Sequence, residues 1–338
     1  MKAAVFYGKG DIRVEADYPT PEIRPNEVLI QVKACGVCGT DLHIFAGAEG
    51  ATDCNPPVIL GHEFSGVVTK VGQSVTRVKV GQHVTVNPNV SCESCEQCRR
   101  GNPHFCDEMA ATGVNFDGGF AQYCKVLEKQ VFVVPDFVSF EEAALCEPVS
   151  CCLHGIDLCN IKCGDTVMIV GGGTIGMIML QLAQLNGAVR TVLLETNENR
   201  FALAKELGAD LALNPLKDDV AARLAESGFH DIQVVIECAG RLDAIESAIR
   251  YAGKAATVMI FSLTDPKGSI SYYPFEAFKK ELTLKTSFVN PNTQGRAAQI
   301  ITSGKLKLAP LISDRIALAD IQEAFKPGIR NGKTVILP

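Results

Sequence analysis

A chain of 338 residues with 47% apolar and 21% charged side chains can bury a large core, and its length suits two domains. The formal net charge is -6 and no basic run occurs, so nucleic acid is not an expected partner. The apolar stretch 167–185 is broken by Gly171, Gly172, Gly173 and Gly176, so no membrane span is expected, and the N-terminal MKAAVFYGKGDIRVE lacks the apolar core of a secretion signal.

These features predict a cytoplasmic protein. Its fourteen cysteines are then thiols or ligands rather than a disulfide framework. In chain order, residues 1–149 read as short strands separated by glycine and proline. Segments 28–34, 65–71, 83–86 and 131–134 give this region all-β texture. Inside it, Cys92, Cys95, Cys98 and Cys106 follow the spacing C-x2-C-x2-C-x7-C on a loop rich in turn residues. Four thiolates so placed suit the closed tetrahedral shell of a structural zinc, and they define a lobe over about 88–110. Cys35, Cys54, Cys124, Cys146, Cys151, Cys152, Cys159, Cys163 and Cys238 mostly lie in apolar segments and read as small buried hydrophobes.

From residue 150 to 289 the pattern changes. Apolar runs at 166–170, 191–195, 233–238 and 256–261 alternate with helical stretches at 174–186, 199–207, 219–226 and 243–251. That alternation predicts βαβ units and a doubly wound parallel sheet. Residues 290–338 add a helix over 293–302 and a closing strand at 333–337.

The first apolar run of this second region leads into GGGTIG, residues 171–176, followed by an apolar helix. Gly171, Gly173 and Gly176 have the spacing of a dinucleotide fingerprint. They allow a tight turn and close approach of backbone to pyrophosphate, while Gly172, Thr174 and Ile175 complete the loop at the helix N-terminus. Glu195, at the end of the next run, is placed to bond the adenosine ribose and to repel a 2′-phosphate. This predicts NAD rather than NADP as cofactor. Arg200 either reaches a phosphate and softens that preference or is a solvated helix residue.

Three further motifs, CGVCGTDLH at 35–43, LGHEFSG at 60–66 and LCEPVS at 145–150, stand in order with the cysteine lobe, Gly118-Gly119-Phe120 and the glycine loop. Taken together, the chain resembles the zinc-dependent medium-chain alcohol and polyol dehydrogenases over its whole length. It is most similar to the sorbitol, butanediol and threonine dehydrogenase branch. The resemblance implies a GroES-like β-rich catalytic domain at 1–149, a Rossmann domain at 150–289 and a return to the catalytic domain at 290–338, with a cleft between the two domains.

It also implies two zinc ions per chain. Cys38, His62, Glu63 and Glu147 would serve the catalytic ion as thiolate, imidazole and carboxylate donors, the two glutamates acting directly or through water, and a position left open for substrate. Zinc lowers the pKa of a bound alcohol. Thr40 would accept the hydroxyl proton and His43 relay it, while Asp41 fixes the loop. His83, His104, His154 and His230 read as structural or exposed. The expected partner is a small-molecule alcohol or polyol, and the expected assembly a homo-oligomer, tetramer or dimer.

The Arg-Tyr pair of sorbitol-type relatives is missing here, where the chain reads SFVNPN at 287–292. Asn290 and Asn292 could bond substrate hydroxyls instead, or serve as ordinary loop residues. Another polyol, a diol, a hydroxy amino acid or a simple alcohol stays open. A non-catalytic nucleotide-binding relative or a zinc-free reductase would be expected to lack some of Cys38, His62 and Glu147, and all three are present.

Overall fold

The strand Glu27–Gly36, a run of mostly β-branched and small residues with mostly buried side chains, organises the first of two structural units. In this computed structural model, residues 1–48, 53–326, 328 and 331–338 are described. The first unit comprises Met1–Ser150 and Asn290–Pro338, and the second Cys151–Val289.

In the first unit, Glu27–Gly36 pairs antiparallel with Glu63–Val71, with Tyr123–Leu127 and, at its C-terminal end, with Lys333–Leu337. His83–Val86 and Val131–Val133 extend this seven-stranded sheet on one side and Ile312–Ala317 on the other. Asp11–Glu15, Ala3–Gly8 and Val58–Ile59 form a smaller sheet. Ile30, Val32, Phe64, Val68, Val84 and Phe120 share one apolar core with Ala3, Val5 and Ile59. The alternation of inward apolar and outward polar residues is clearest in Tyr123–Leu127, as expected where one sheet face meets the core.

The second unit is a six-stranded sheet in the order Leu211–Leu213, Arg190–Leu194, Thr166–Val170, Val234–Glu237, Thr257–Ile260, Thr283–Thr286, and every pair is parallel. Thr166–Val170 and Val234–Glu237 are almost wholly buried, which is why they read as continuous apolar runs rather than alternating ones. The chain starts at Thr166–Val170, winds outward through Arg190–Leu194, then returns to Val234–Glu237 on the other side. This reversal is the switch point at which open parallel sheets bind ligands.

The structure sharpens several boundaries and adds elements. Thr166–Val170 and Lys333–Leu337 fall where expected, and Asp219 is the N-cap of helix Val220–Glu226 rather than its first residue. The helix Cys146–Cys159 was not legible, although Pro148 is compatible with it because the first-turn N–H groups have no intrahelical partner. Strand Thr283–Thr286 was also missed, since its TLKT sequence lacks an apolar run. Among the described residues, no helix is long and apolar enough to cross a membrane.

Candidate functional site

Two groups of potential metal donors occur among the described residues, and both lie in the first unit. In the lobe, ligand atoms of Cys92, Cys95, Cys98 and Cys106 all lie within 4.8 Å of one another, with no disulfide. The backbone folds N–H groups onto the sulfurs: Cys92 N–H and Glu108 N–H donate to Cys106 Sγ at 3.2 and 3.3 Å, and Cys95 N–H donates to Cys92 Sγ at 3.3 Å. Such donors stabilise thiolates. The Ser94 hydroxyl and nearby backbone N–H groups draw the Cys92 thiol down to about 6, while burial and the neighbouring thiols push Cys98 up to about 12. Sulfurs that compete for protons in this way form a donor set suited to a soft, tetrahedral cation.

The second group joins Cys38, His62 and Glu63, again within 4.8 Å of one another. Cys38 caps the helix Gly39–Phe45, while His62 immediately precedes the strand Glu63–Val71. Asp41 ties the two segments together. It is wholly buried, its Oδ2 accepts the Cys38 N–H at 2.8 Å, and its Oδ1 accepts the Gly61 N–H at 3.3 Å. Asp41 Oδ1 also stands 3.5 Å from His62 Nδ1 and so orients the imidazole. Burial alone would lower the His62 pKa, but Asp41 and Cys38 outweigh it and raise it well above its ordinary value.

Thr40 and His43 lie three residues apart on the helix that Cys38 begins, hence on one side of it, and both are half-buried. Glu147 is buried in the first turn of Cys146–Cys159 and lies outside the three-residue group. Its charge is nevertheless felt at Lys333, which binds Glu63 directly. Sequence reasoning missed Lys333 altogether.

In the second unit, GGGTIG connects Thr166–Val170 to the helix Thr174–Leu185, with Gly173 as N-cap. A Cβ at Gly176 would lie 1.8 Å from the Gly171 carbonyl oxygen, so only glycine lets the helix pack this closely on the turn. Glu195 follows Arg190–Leu194, and its Oε2 accepts the Gly172 N–H at 2.6 Å and an Arg200 N–H at 3.0 Å. Its Oε1 accepts the Asn197 N–H at 2.7 Å. Burial opposes its charge, but these donors outweigh burial and hold the carboxyl below its ordinary range. Arg200 is thus mostly buried against Glu195 rather than solvated.

Glu237, unnoticed in the sequence, is fully buried at the end of Val234–Glu237. It accepts the Ala239 and Gly240 N–H groups at 2.6 and 2.8 Å and the Ser262 hydroxyl, fixing the turn that packs against Gly171.

Asn290 is not available to substrate. It is 1% exposed, its amide donates to Ser150 Oγ at 2.6 Å and to Gln294 Oε1 at 3.3 Å, and it accepts from Asn89. Asn292 is exposed and adopts φ 57°, a turn role that asparagine tolerates. Of the unassigned cysteines, Cys35, Cys124, Cys146, Cys152 and Cys159 are buried as expected. Cys54, Cys151 and Cys238 are partly exposed, and Cys163 is exposed.

Residues 24–136 match the alcohol dehydrogenase GroES-like domain family, and residues 174–303 match the zinc-binding dehydrogenase family. The chain is 33% identical to D-arabinitol dehydrogenase 1 of Uromyces fabae, covering 92% of this chain and 89% of that one. It is 35% identical to L-threonine 3-dehydrogenase of Pyrococcus abyssi, covering 99% and 95%. A candidate zinc-binding dehydrogenase of Sinorhizobium meliloti 1021, solved bound to NADP, superposes with a TM-score of 0.95 at 36% identity, covering 100% and 99%. The chain belongs to the zinc-dependent medium-chain dehydrogenases. Within them it is an alcohol or polyol dehydrogenase, with a GroES-like and a Rossmann unit.

Proposed function

We propose that this enzyme oxidises a secondary hydroxyl of a polyol, sugar alcohol or diol to the ketone, passing hydride to NAD. The observation that carries the reading is the mixed group of Cys38, His62 and Glu63, which differs from the all-thiol lobe in the way the donor set of a catalytic metal site differs from that of a structural one. Cys38 and His62 would hold the catalytic zinc, with Glu63 and Glu147 as carboxylates beside it. Cys92, Cys95, Cys98 and Cys106 would hold the structural ion, making two per chain. Zinc supplies a Lewis acid that lowers the pKa of the substrate hydroxyl. Thr40 would accept the proton of the substrate hydroxyl, and His43 would pass it outward.

Gly171–Gly176 would hold the pyrophosphate at the helix N-terminus, and Glu195 would take the ribose hydroxyl and disfavour a 2′-phosphate. The ion pair with Arg200 supports a graded preference rather than absolute exclusion of NADP, because a 2′-phosphate that displaces Glu195 meets a guanidinium already in place.

The protein is proposed to be cytoplasmic and a homo-oligomer, tetramer or dimer. The outermost strand Thr283–Thr286 is largely exposed, and Tyr273, Phe275 and Phe278 of the second unit are each at least 70% exposed, a surface suited to subunit contact.

Threonine is the second reading, favoured by the 35% identity to the Pyrococcus abyssi enzyme. A panel of polyols, diols, threonine and simple alcohols, followed by NADH absorbance, separates the two. The fastest turnover is expected on a polyol or diol. A clear preference for threonine overturns that choice, and no turnover on any alcohol overturns the reaction class.

A further inference from the structure

Lys333 stands out among the described residues, since no other lysine or arginine is buried to its 7% exposure. Its position follows from strand register. Lys333–Leu337 pairs antiparallel with Glu27–Gly36, matching Val335 to Gly36 and Ile336 to Cys35. Continued past the strand end, where the Val37 N–H donates to the Thr334 carbonyl at 2.9 Å, that register sets position 333 opposite position 38. On the other side of Glu27–Gly36, Glu63 is the cross-strand partner of the same Gly36.

Glu63 therefore has to reach across Gly36 to meet Lys333, and the space it uses is the space a side chain would fill. A Cβ at Gly36 would lie 2.2 Å from Glu63 Oε2. Through this gap, Lys333 Nζ donates to Glu63 Oε1 and Oε2, both at 2.7 Å, and to the Val37 carbonyl at 3.2 Å. All three ammonium donors are accounted for, and both carboxylate oxygens are held by one cation.

We infer that Lys333 is a positioning residue that keeps Glu63 beside the metal group without letting it become a permanent ligand. Charge supplies the reason. Cys38 as thiolate, Glu63 and the buried Glu147 nearby carry three negative charges against the two of a divalent ion, and the one left over is costly among buried groups without a partner. Lys333 supplies the balancing charge and, by engaging both Glu63 oxygens, weakens the carboxylate as a competitor for the position a substrate hydroxyl needs. The inference rests on Cys38 and His62 being metal ligands.

The test uses the whole enzyme with cobalt(II) in the mixed site. Lys333→Met frees Glu63 to bind the ion. The visible cobalt bands should weaken towards those of a higher coordination number, release to a chelator should slow, and kcat/KM should fall roughly 10–100-fold. Lys333→Arg, which keeps the charge and the donors, should recover the original spectrum and most of the activity. In a Glu63→Gln background, Lys333→Met should change neither the bands nor the release rate. That pair also stands in if Lys333→Met alone does not fold, because it leaves no unpaired buried carboxylate. Unchanged bands and release rate in Lys333→Met overturn the inference, as does a spectral change that persists in the Glu63→Gln background. The ligand assignment fails separately, if Cys38→Ser leaves the thiolate-to-cobalt band intact.

Discussion

The lobe draws all four thiols from residues 92–106, whereas the mixed group takes Cys38 from a helix cap, His62 and Glu63 from a strand entry, and its counter-charge Lys333 from the last strand of the same unit. In the lobe the stabilising N–H donors come from the same loop. In the mixed group the support comes from further off: Asp41 accepts N–H groups from two segments and so bridges them, and a lysine reaches across a sheet to Glu63. A local, uniform shell needs nothing from its surroundings and so can be closed. A shell assembled from separated segments can leave one side open, but every donor then has to be held by a neighbour.

This contrast can be broken most severely at the ligands. Cys38→Ser or His62→Ala should abolish turnover and lower metal content from about two ions per chain to about one, while Cys92→Ser should lose the other ion and keep measurable activity. If both kinds of variant lose the same ion, the two groups are not independent sites. Metal analysis together with turnover decides this.

A smaller effect is expected beside the mixed group. Thr40→Val should reduce turnover by about 10²–10⁴ with metal content and NAD binding unchanged, the range typical of lost general acid–base help. Wild-type turnover in this variant, with a deuterium effect showing hydride transfer to be rate-limiting, would remove Thr40 from the proton path. His43→Ala should cost less, because water can replace the outer end of the path.

The second unit extends the comparison, since Glu195 is also an acid held by a cation. Glu195→Ala should shift the ratio of catalytic efficiencies towards NADP by roughly tenfold, about 1.4 kcal/mol. A ratio that does not move means Glu195 does not face the ribose. The smallest effect is one of pH. Because the Glu195 carboxyl is held below its ordinary value of 4.5, its contribution to stability is complete above that value and is lost as pH falls below it. Thermal melting of the wild type should therefore decline with acid below about pH 4.5 more steeply than that of Glu195→Gln.

How much of this was legible depends on distance along the chain. The cysteine lobe and the glycine loop were visible because spacing alone encodes them, and Thr166–Val170 was visible because burial on both faces makes a continuous apolar run. The partners that tune these sites were not. Lys333 reads as a polar residue opening a strand, and nothing local tells of the Gly36 gap that lets Glu63 reach it. Glu237 went unnoticed inside the apolar run 233–238, because the Ser262 hydroxyl and the turn N–H groups that engage it show only in the fold. Asn290 looked free because the groups that occupy its amide, Ser150 and Asn89, lie far from it in sequence.

The first unit is interrupted by the second, and its two pieces meet where Asn290 bonds Ser150 and Thr293 Oγ1 donates to the Ser150 carbonyl at 2.7 Å. During synthesis, when domains generally fold as they emerge, the potential donors Cys38, His62 and Glu63 are made well before the second unit, but Lys333 follows after all of it. Until the strand Lys333–Leu337 is added, Glu63 has no counter-ion. The nascent chain thus carries a half-built, net-negative donor group through most of translation, and the mixed site matures only when its final strand docks.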